Sequence, residues 1–166
     1  QAAPVTSTRQ HLLTVATLAA TYFAAAKIGL AMAFINPSAS AVWPPTGIAI
    51  FAVVVFGPRV WPGIFLGAFL ANLATAGSSA TSFLIAGGNT AEALLAAYLV
   101  HRHAGGREAF ESGRHIVRFV LLAGLLSTAV SATVGVTSLA AWGFVPWPTY
   151  WPTWLTWWLG DAAGAL

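Results

Sequence analysis

The sequence predicts an all-α fold, a polytopic transmembrane helical bundle, from three observations. Hydrophobic residues make up 58% of the 166 residues and charged residues only 7%, whereas about a quarter of a typical soluble domain is charged. Apolar runs approaching the ~20 residues that span a bilayer recur along the chain. The 16 glycines and 9 prolines suit membrane helices that pack closely or break. A soluble globule and a disordered chain are therefore excluded.

Six apolar runs are the predicted spans. In chain order they cover residues 11–34, 43–56, 60–76, 80–100 and 116–141, and the sixth starts at residue 153. The second run is short unless residues 39–45 also lie in the membrane. Because the sixth run is unfinished at Leu166 and the sequence starts with Gln1 rather than methionine, we expect a truncated last span. The chain, residues 1–166, would then be one transmembrane domain of a longer protein.

Basic residues predict that the N-terminus is cytoplasmic, because cytoplasmic loops retain lysine and arginine. With this orientation, six of the seven basic residues fall on or near the cytoplasmic side, and an aromatic loop falls on the outer side. The same charges account for the pI near 10, so we expect a lipid bilayer and no nucleic acid as partner. The six are Arg9, Arg59, Arg102, Arg107, Arg114 and Arg118, and the loop contains Trp142, Trp147, Tyr150, Trp151 and Trp154.

Three charged residues fall inside predicted spans, namely Lys27, Glu92 and Asp161. Intramembrane charges are costly and mark functional sites or paired networks. Their depths place all three near one another in the outer half of the bundle. Two interpretations stay open, and they are compatible. Either the charges bind a ligand or an ion, or Lys27 pairs with one carboxylate in a structural network. Such a pair would leave the other carboxyl group to be protonated, to bind a cation or to meet an amine.

The segment Trp43-Pro44-Pro45-Thr46-Gly47 is the most unusual local feature. Two adjacent prolines remove two backbone donors and disfavour helix before them. Backbone that is not paired in a helix must contact protein or water rather than lipid. We therefore expect a broken or re-entrant start to the second span, with helix from about Thr46. Its carbonyl groups would face a cavity, or the segment would simply be a rigid turn that caps the helix.

Small and hydroxyl-bearing residues inside the spans are interpreted as packing elements. Gly63 and Gly67 have the Gly-x-x-x-Gly spacing that lets helices approach closely. Ser127, Ser131 and Ser138 have no base nearby in sequence, so we expect each hydroxyl to bond to its own helix.

No catalytic or metal-binding motif stands out. Phosphate loops, nucleophile elbows and zinc-protease helices are missing from the sequence, and it contains no cysteine. The run His101-Arg102-His103 suggests a metal or haem, but no third ligand accompanies it, which favours a solvated helix end. We therefore predict no cofactor, no metal and no catalytic residue.

Five stretches together resemble the bacterial MASE1 domain, an integral membrane sensor module. The most distinctive is Asn-Pro-Ser-Ala-Ser-Ala-Val-Trp-Pro-Pro-Thr-Gly-Ile-Ala at residues 36–49. The others are residues 61–72, 88–94, 131–137 and 154–161. The resemblance covers the chain from about residue 22 to its end. The residues that fall on the family pattern are Lys27, Asn36, Trp43, Pro44, Pro45, Asn72, Asn89, Glu92 and Asp161.

The resemblance implies a role in bacterial signalling. MASE1 domains precede histidine kinase, GGDEF diguanylate cyclase, EAL or PAS modules, so the implied pathways are two-component or cyclic di-GMP signalling. The family has about eight spans, which implies that the C-terminal part of the domain and the output domain are absent here. No enzymatic activity is assigned to this chain. Dimerisation is a class-level expectation, because sensor kinases and cyclases commonly act as dimers.

The sequence therefore predicts a multi-pass sensory input domain of the bacterial inner membrane. It would bind a small ligand, or sense the state of the membrane, in a polar pocket in the outer half. A membrane transporter or a substrate-binding membrane subunit is the alternative, and an intramembrane enzyme ranks below both. The candidate ligand-binding residues are Lys27, Asn36, Trp43, Thr46, Asn72, Asn89, Glu92 and Asp161.

Overall fold

The computed structural model describes residues 7–31, 33–36, 39–75 and 78–166, with the backbone alone at 33–36. The predicted all-α class is confirmed, with one short antiparallel sheet added. The helices are α1 (Thr8–Leu30), α2 (Pro44–Phe56), α3 (Trp61–Leu73), α4 (Ser79–His103), α5 (Gly113–Phe119), a π-helical segment (Val120–Ser127), α6 (Thr128–Ala141) and α7 (Tyr150–Ala165). The strands are β1 (Ala33–Asn36) and β2 (Ala39–Ser40), and short 3₁₀ turns cover Pro58–Val60, Gly106–Glu108 and Trp147–Thr149.

Among the described residues, three helical stretches are long and apolar enough to cross a membrane. They are α1, α4 and the continuous stretch Gly113–Ala141 formed by α5, the π-helical segment and α6. Helices α2 and α3 have 13 residues each and α7 has 16. At ~1.5 Å per residue these three are shorter than the ~30 Å hydrocarbon core. The count of six spans and the cytoplasmic N-terminus therefore stay predictions.

Large apolar side chains cover much of the outer surface. Phe51, Phe83, Leu121 and Trp151 are all more than half exposed. A soluble protein rarely exposes so much contiguous apolar surface. The outward faces of the helices therefore fit contact with lipid.

Helices α1 and α3 pack closely through the predicted Gly-x-x-x-Gly motif. A Cβ atom at Gly63 would lie 2.7 Å from the carbonyl oxygen of Val15, and one at Gly67 would lie 2.8 Å from that of Ala19. The motif thus lets the two backbones touch, as predicted. Since the contacts advance together along both helices, α1 and α3 run parallel.

The six arginines named above gather at one end of the bundle. Arg107 donates to the carbonyl of Val55 at the end of α2, and Arg118 donates to the carbonyl of His103 at the end of α4, at 2.9 Å. The parallel helices α1 and α3 begin at this end, which adds the arginines at their starts. Trp147 and Trp151 lie exposed at the opposite end, where α7 begins. Which end faces the cytoplasm stays a prediction.

The start of the second span differs from the prediction. Helix α1 ends at Leu30 rather than near residue 34, and the chain then forms β1 and β2. Ala33 pairs with Ser40, and Asn36 pairs with Ala39. Pairing within the hairpin satisfies backbone groups that could not face lipid. Residues 37 and 38, between the two strands in sequence, lie outside the described residues.

Helix α2 starts at Pro44, two residues earlier than expected. Proline is tolerated in the first turn because the amide it lacks would have no helical partner there. The backbone before this helix is held by α7, since the Trp43 amide donates to the Gly160 carbonyl at 3.0 Å. A Cβ atom at Gly160 would collide with the backbone of Ser40, and one at Gly164 with that of Trp43. The two glycines on α7 thus make room for the non-helical segment.

The fifth predicted span contains eight residues of π-helix, Val120–Ser127. π-Helix is rare and often marks functional positions. Trp158 on α7 donates its indole Nε1 to the carbonyl of Leu125 in this segment at 2.9 Å. A side chain from α7 therefore contributes to the wider backbone turn, which sequence periodicity could not indicate.

Candidate ligand site

Four helices bring polar side chains together in the interior. Glu92 on α4 and Asp161 on α7, here called the carboxyl pair, are 2% and 0% exposed. The two groups lie within electrostatic reach of each other. Asn89, one turn before Glu92 on α4, faces the same side. Thr46 on α2 and Ser131 on α6 complete the set. We call the polar cluster Thr46, Asn89, Glu92, Ser131 and Asp161.

Close contact between α2 and α7 positions Thr46 against the carboxyl pair. A Cβ atom at Gly47 would collide with the carbonyl oxygen of Gly164, so only glycine permits this approach. The Thr46 hydroxyl then donates to Oδ1 of Asp161 at 3.1 Å. The hydroxyls of Thr46 and Ser131 lie beside both carboxyl groups. Thr46 therefore supplies a hydroxyl donor to one oxygen of the pair, while Glu92 Oε1 and Asp161 Oδ2 have no hydrogen-bond partner.

A second chain of hydrogen bonds links α4, α6 and α7. Trp157 donates its indole Nε1 to Oγ of Ser131 at 3.1 Å, and Ser131 donates to Oδ1 of Asn89 at 2.6 Å. The Trp157 ring fits where Gly135 has no side chain, because a Cβ atom there would lie 2.7 Å from the ring. This chain orients the Asn89 amide so that its nitrogen remains available.

The expectation for Ser131 was wrong. Ser127 and Ser138 do bond to carbonyls of their own helix, those of Ala123 and Gly135. Ser131 instead bonds across to α4, because Asn89 presents an acceptor at hydrogen-bond distance. The partner of a buried hydroxyl depends on the neighbouring helix, which the sequence of α6 alone does not specify.

Two buried aromatic residues stand beside the polar cluster. Tyr22 on α1 and Trp43 before α2 belong to one buried cluster, and the phenol of Tyr22 lies next to the Trp43 indole and the Asn89 amide. The Trp43 ring packs on Gly29, where a Cβ atom would lie 2.8 Å from ring atom Cε3. Tyr22 and Trp43 thus form an aromatic wall on the side of the polar cluster that faces α1.

Buried polar atoms without a hydrogen-bond partner concentrate here. Six such side-chain atoms occur among the described residues, and four of them belong to this site. They are two donors, Trp43 Nε1 and Asn89 Nδ2, and two acceptors, Glu92 Oε1 and Asp161 Oδ2. Each unpaired buried group costs about 1–3 kcal/mol. Such a concentration calls for an explanation, and a bound group that satisfies these atoms supplies one.

Lys27 does not join the carboxyl pair. It is exposed on α1, while Tyr22 and Ala26 occupy the buried face of that helix. At about 100° per residue, Lys27 points away from that face. The proposed pairing of Lys27 with a carboxylate is therefore not found, and a long lysine side chain at this surface reaches towards the interface.

Asn72 contributes no contact to the polar cluster. Asn72 is buried on α3, but its amide donates to the carbonyl of Ala68 on its own helix at 2.9 Å. Asn36 ends β1, and its side chain lies outside the described residues. Of the eight candidates, the structure brings together Trp43, Thr46, Asn89, Glu92 and Asp161.

Sequence reasoning missed Tyr22, Ser131 and Trp157 as site residues. Trp157 stands four residues before Asp161, so helical spacing places both on one face of α7. Tyr22 belongs to the inward stripe of α1 together with Leu18 and Ala26. These spacings were signals for two of the three residues.

Carboxyl groups, hydroxyls, an amide and indole nitrogens can bind a small polar molecule. Among the described residues, no group of three or more His, Asp or Glu side chains is placed to hold a metal ion. His101 and His103 are exposed at the end of α4. The polar groups of this site can make hydrogen bonds and charge contacts.

A known family model matches this chain. The family model of MASE1 matches residues 14–166, nearly the whole chain. No curated protein and no solved structure matches it.

Proposed function

Because the chain belongs to the MASE1 family of membrane-associated sensor domains of signalling proteins, we propose that it senses a small ligand at the carboxyl pair. In the full-length protein it would control a histidine kinase, or a diguanylate cyclase or phosphodiesterase. MASE1 is a sensory rather than a catalytic domain, so the enzymatic step belongs to the output domain. The domain would cross the bacterial inner membrane several times, with the site embedded in it.

One observation carries the proposal. Glu92 and Asp161 are buried together, each with an unpaired oxygen, and two unpaired donors stand beside them. Purely structural polar networks in membrane proteins satisfy their members. An incomplete network in which donors and acceptors are both left over is typical of a site that a ligand completes.

The helices around the site suggest how binding reaches the output domain. Thr46 on α2 contacts Asp161 on α7, while Asn89 on α4 contacts Ser131 on α6. A ligand between the carboxyl groups would favour one packing of these helices over another, and a shift requires different affinities for the two packings. Since the resemblance implies further spans between this chain and the output domain, α7 would pass the change to those spans.

The test uses the full-length signalling protein in its host membrane. Output is measured as autophosphorylation or as cyclic dinucleotide turnover across a panel of growth media. We expect Glu92→Gln and Asp161→Asn to abolish the difference between media and to hold output at one level. Glu108→Gln and Glu111→Gln change exposed carboxylates and serve as matched controls that keep the wild-type range. A wild-type range in both carboxyl-pair variants would contradict the proposal.

A further inference from the structure

We infer that the ligand is a small primary ammonium compound that also carries an oxygen acceptor, held between Glu92 and Asp161 beside the Tyr22 and Trp43 rings. The inference rests on the proposed function, because it names the ligand of the same site. It follows from three properties of the site, namely its charge, its unpaired donors and its aromatic wall.

The charge of the site favours a positive partner. Two carboxyl groups lie together with almost no solvent exposure, and isolated buried carboxylates are costly. Among the described residues that form the polar cluster and its aromatic wall, none is basic. Lys27 points outward, and the arginines lie at the bundle end where α1 and α3 begin. A cation from outside the chain would balance the carboxyl pair, whereas protonation alone would leave Trp43 Nε1 and Asn89 Nδ2 without a hydrogen bond.

A bare metal ion would not satisfy all four unpaired atoms, because two of them are donors. Trp43 Nε1 and Asn89 Nδ2 make no hydrogen bond, although the Tyr22 phenol lies next to both, and a metal ion offers them no acceptor. An oxygen on the ligand would satisfy them, while the N–H groups of a primary ammonium would satisfy Glu92 Oε1 and Asp161 Oδ2. One molecule with both functions accounts for all four unpaired atoms.

The aromatic wall favours an organic cation. Tyr22, Trp43 and Trp157 are buried beside the carboxyl groups. Cations bind aromatic faces, most strongly the face of tryptophan, and the attraction increases when water is excluded. Carboxylates together with rings are the combination that ammonium recognition uses.

Three probes of similar size test the inference on the full-length protein in lipid nanodiscs. Ethanolamine has an ammonium and a hydroxyl group, ethylamine lacks the hydroxyl group, and ethylene glycol lacks the charge. Binding is measured as the saturable rise in the thermal unfolding midpoint, followed by tryptophan fluorescence. We expect ethanolamine to bind most tightly, ethylamine more weakly, and ethylene glycol to give no shift.

Variants connect each probe to its contacts. Glu92→Gln and Asp161→Asn should each weaken ethanolamine binding by more than about tenfold, since each removes one partner of a buried charge contact. Glu111→Gln should leave binding unchanged. Trp43→Phe keeps a ring but removes Nε1, so it should reduce the preference for ethanolamine over ethylamine. This ratio reports recognition even if a variant is less stable overall.

The remaining outcomes separate the ligand class from the site. Stabilisation by ethylene glycol that depends on Glu92 would overturn the ammonium class and keep the site. Stabilisation that follows pH alone, with no response to any amine, would overturn it in favour of proton binding. If Glu92→Gln also leaves the signalling output of the full-length protein unchanged, the proposed function itself fails.

Discussion

Two interfaces of the bundle have the same Gly-x-x-x-Gly spacing but pack it against different kinds of backbone. Gly63 and Gly67 on α3 receive helix α1, whose backbone is fully helical there, and the contact is a close, apolar packing surface. Gly160 and Gly164 on α7 instead receive the non-helical backbone around Trp43. Between these two α7 glycines lies Asp161. Close packing thus stabilises the first interface, whereas at the second it brings irregular backbone and a buried carboxyl group into one place.

The two interfaces differ in how closely they follow the packing pattern of membrane helices. The α1–α3 interface obeys the pattern of small residues in membrane helices. The α2–α7 interface combines a strand hairpin, prolines at a helix start and unpaired polar atoms. Departures of this kind concentrate at functional sites, because selection retains them against their cost in stability.

The largest effect is expected at the α7 glycines. Gly164→Ala places a methyl group against the backbone at Trp43, which cannot move without displacing α2. We expect a loss of at least about 3 kcal/mol of stability. Gly67→Ala, at the regular interface, should cost about 1–3 kcal/mol. Thermal unfolding in nanodiscs measures both, and an equal effect at the two interfaces would remove the distinction between them.

Ser131 should matter more than its neighbour Ser127. Ser131→Ala leaves Oδ1 of Asn89 and Nε1 of Trp157 unpaired in a buried place, which should cost about 2–4 kcal/mol. Ser127→Ala removes a bond to its own helix only and should cost about 0.5–1 kcal/mol. Equilibrium unfolding in denaturant compares the two. Equal losses would mean that the bond between α6 and α4 adds nothing.

Thr46 offers a smaller contrast of the same kind. Thr46→Val removes the donor to Asp161, and we expect a loss of about 1–2 kcal/mol together with altered signalling output. Thr90→Val is the matched control on α4, because its hydroxyl bonds to the Ala86 carbonyl of its own helix. That change should cost less than about 1 kcal/mol and leave output intact. Equal signalling output in the two variants would mean that Thr46 does not belong to the ligand site.

The smallest effect is expected at Gly87, which contacts neither interface. A Cβ atom there would meet nothing within 4 Å. Gly87→Ala should therefore leave stability unchanged or raise it by up to about 1 kcal/mol, since alanine favours helix over glycine. A clear loss of thermal stability in Gly87→Ala would contradict this, because it would show that the helix face at Gly87 is in close contact with another group.

The sequence predicted the fold class and the family. Of its eight candidate site residues, the structure brings five together, and their role as a ligand site stays a prediction. Composition determines that the chain is a helical membrane bundle, and the cost of burying charge singles out Glu92 and Asp161. These inferences need no knowledge of how helices rotate. Lys27 shows the limit of such prediction. The sequence gives its position along the first span, but the direction of its side chain depends on which face of α1 packs inward.

The hairpin and the bond from Ser131 could not be predicted for a related reason. Residues 33–36 form a short apolar run, and periodicity cannot separate a strand of four residues from the end of a helix. A serine hydroxyl in a helix has an acceptor on its own backbone in every case. Only the position of Asn89 on a neighbouring helix decides that Ser131 bonds elsewhere.

The central claim is that the carboxyl pair holds a ligand. Electron cryo-microscopy of the full-length protein, purified gently from its host membrane, tests it most directly. The account predicts non-protein density between Glu92 and Asp161, within hydrogen-bond distance of both carboxyl groups and of Trp43 Nε1. Continuous protein contacts that fill this space and satisfy all four unpaired atoms would contradict it.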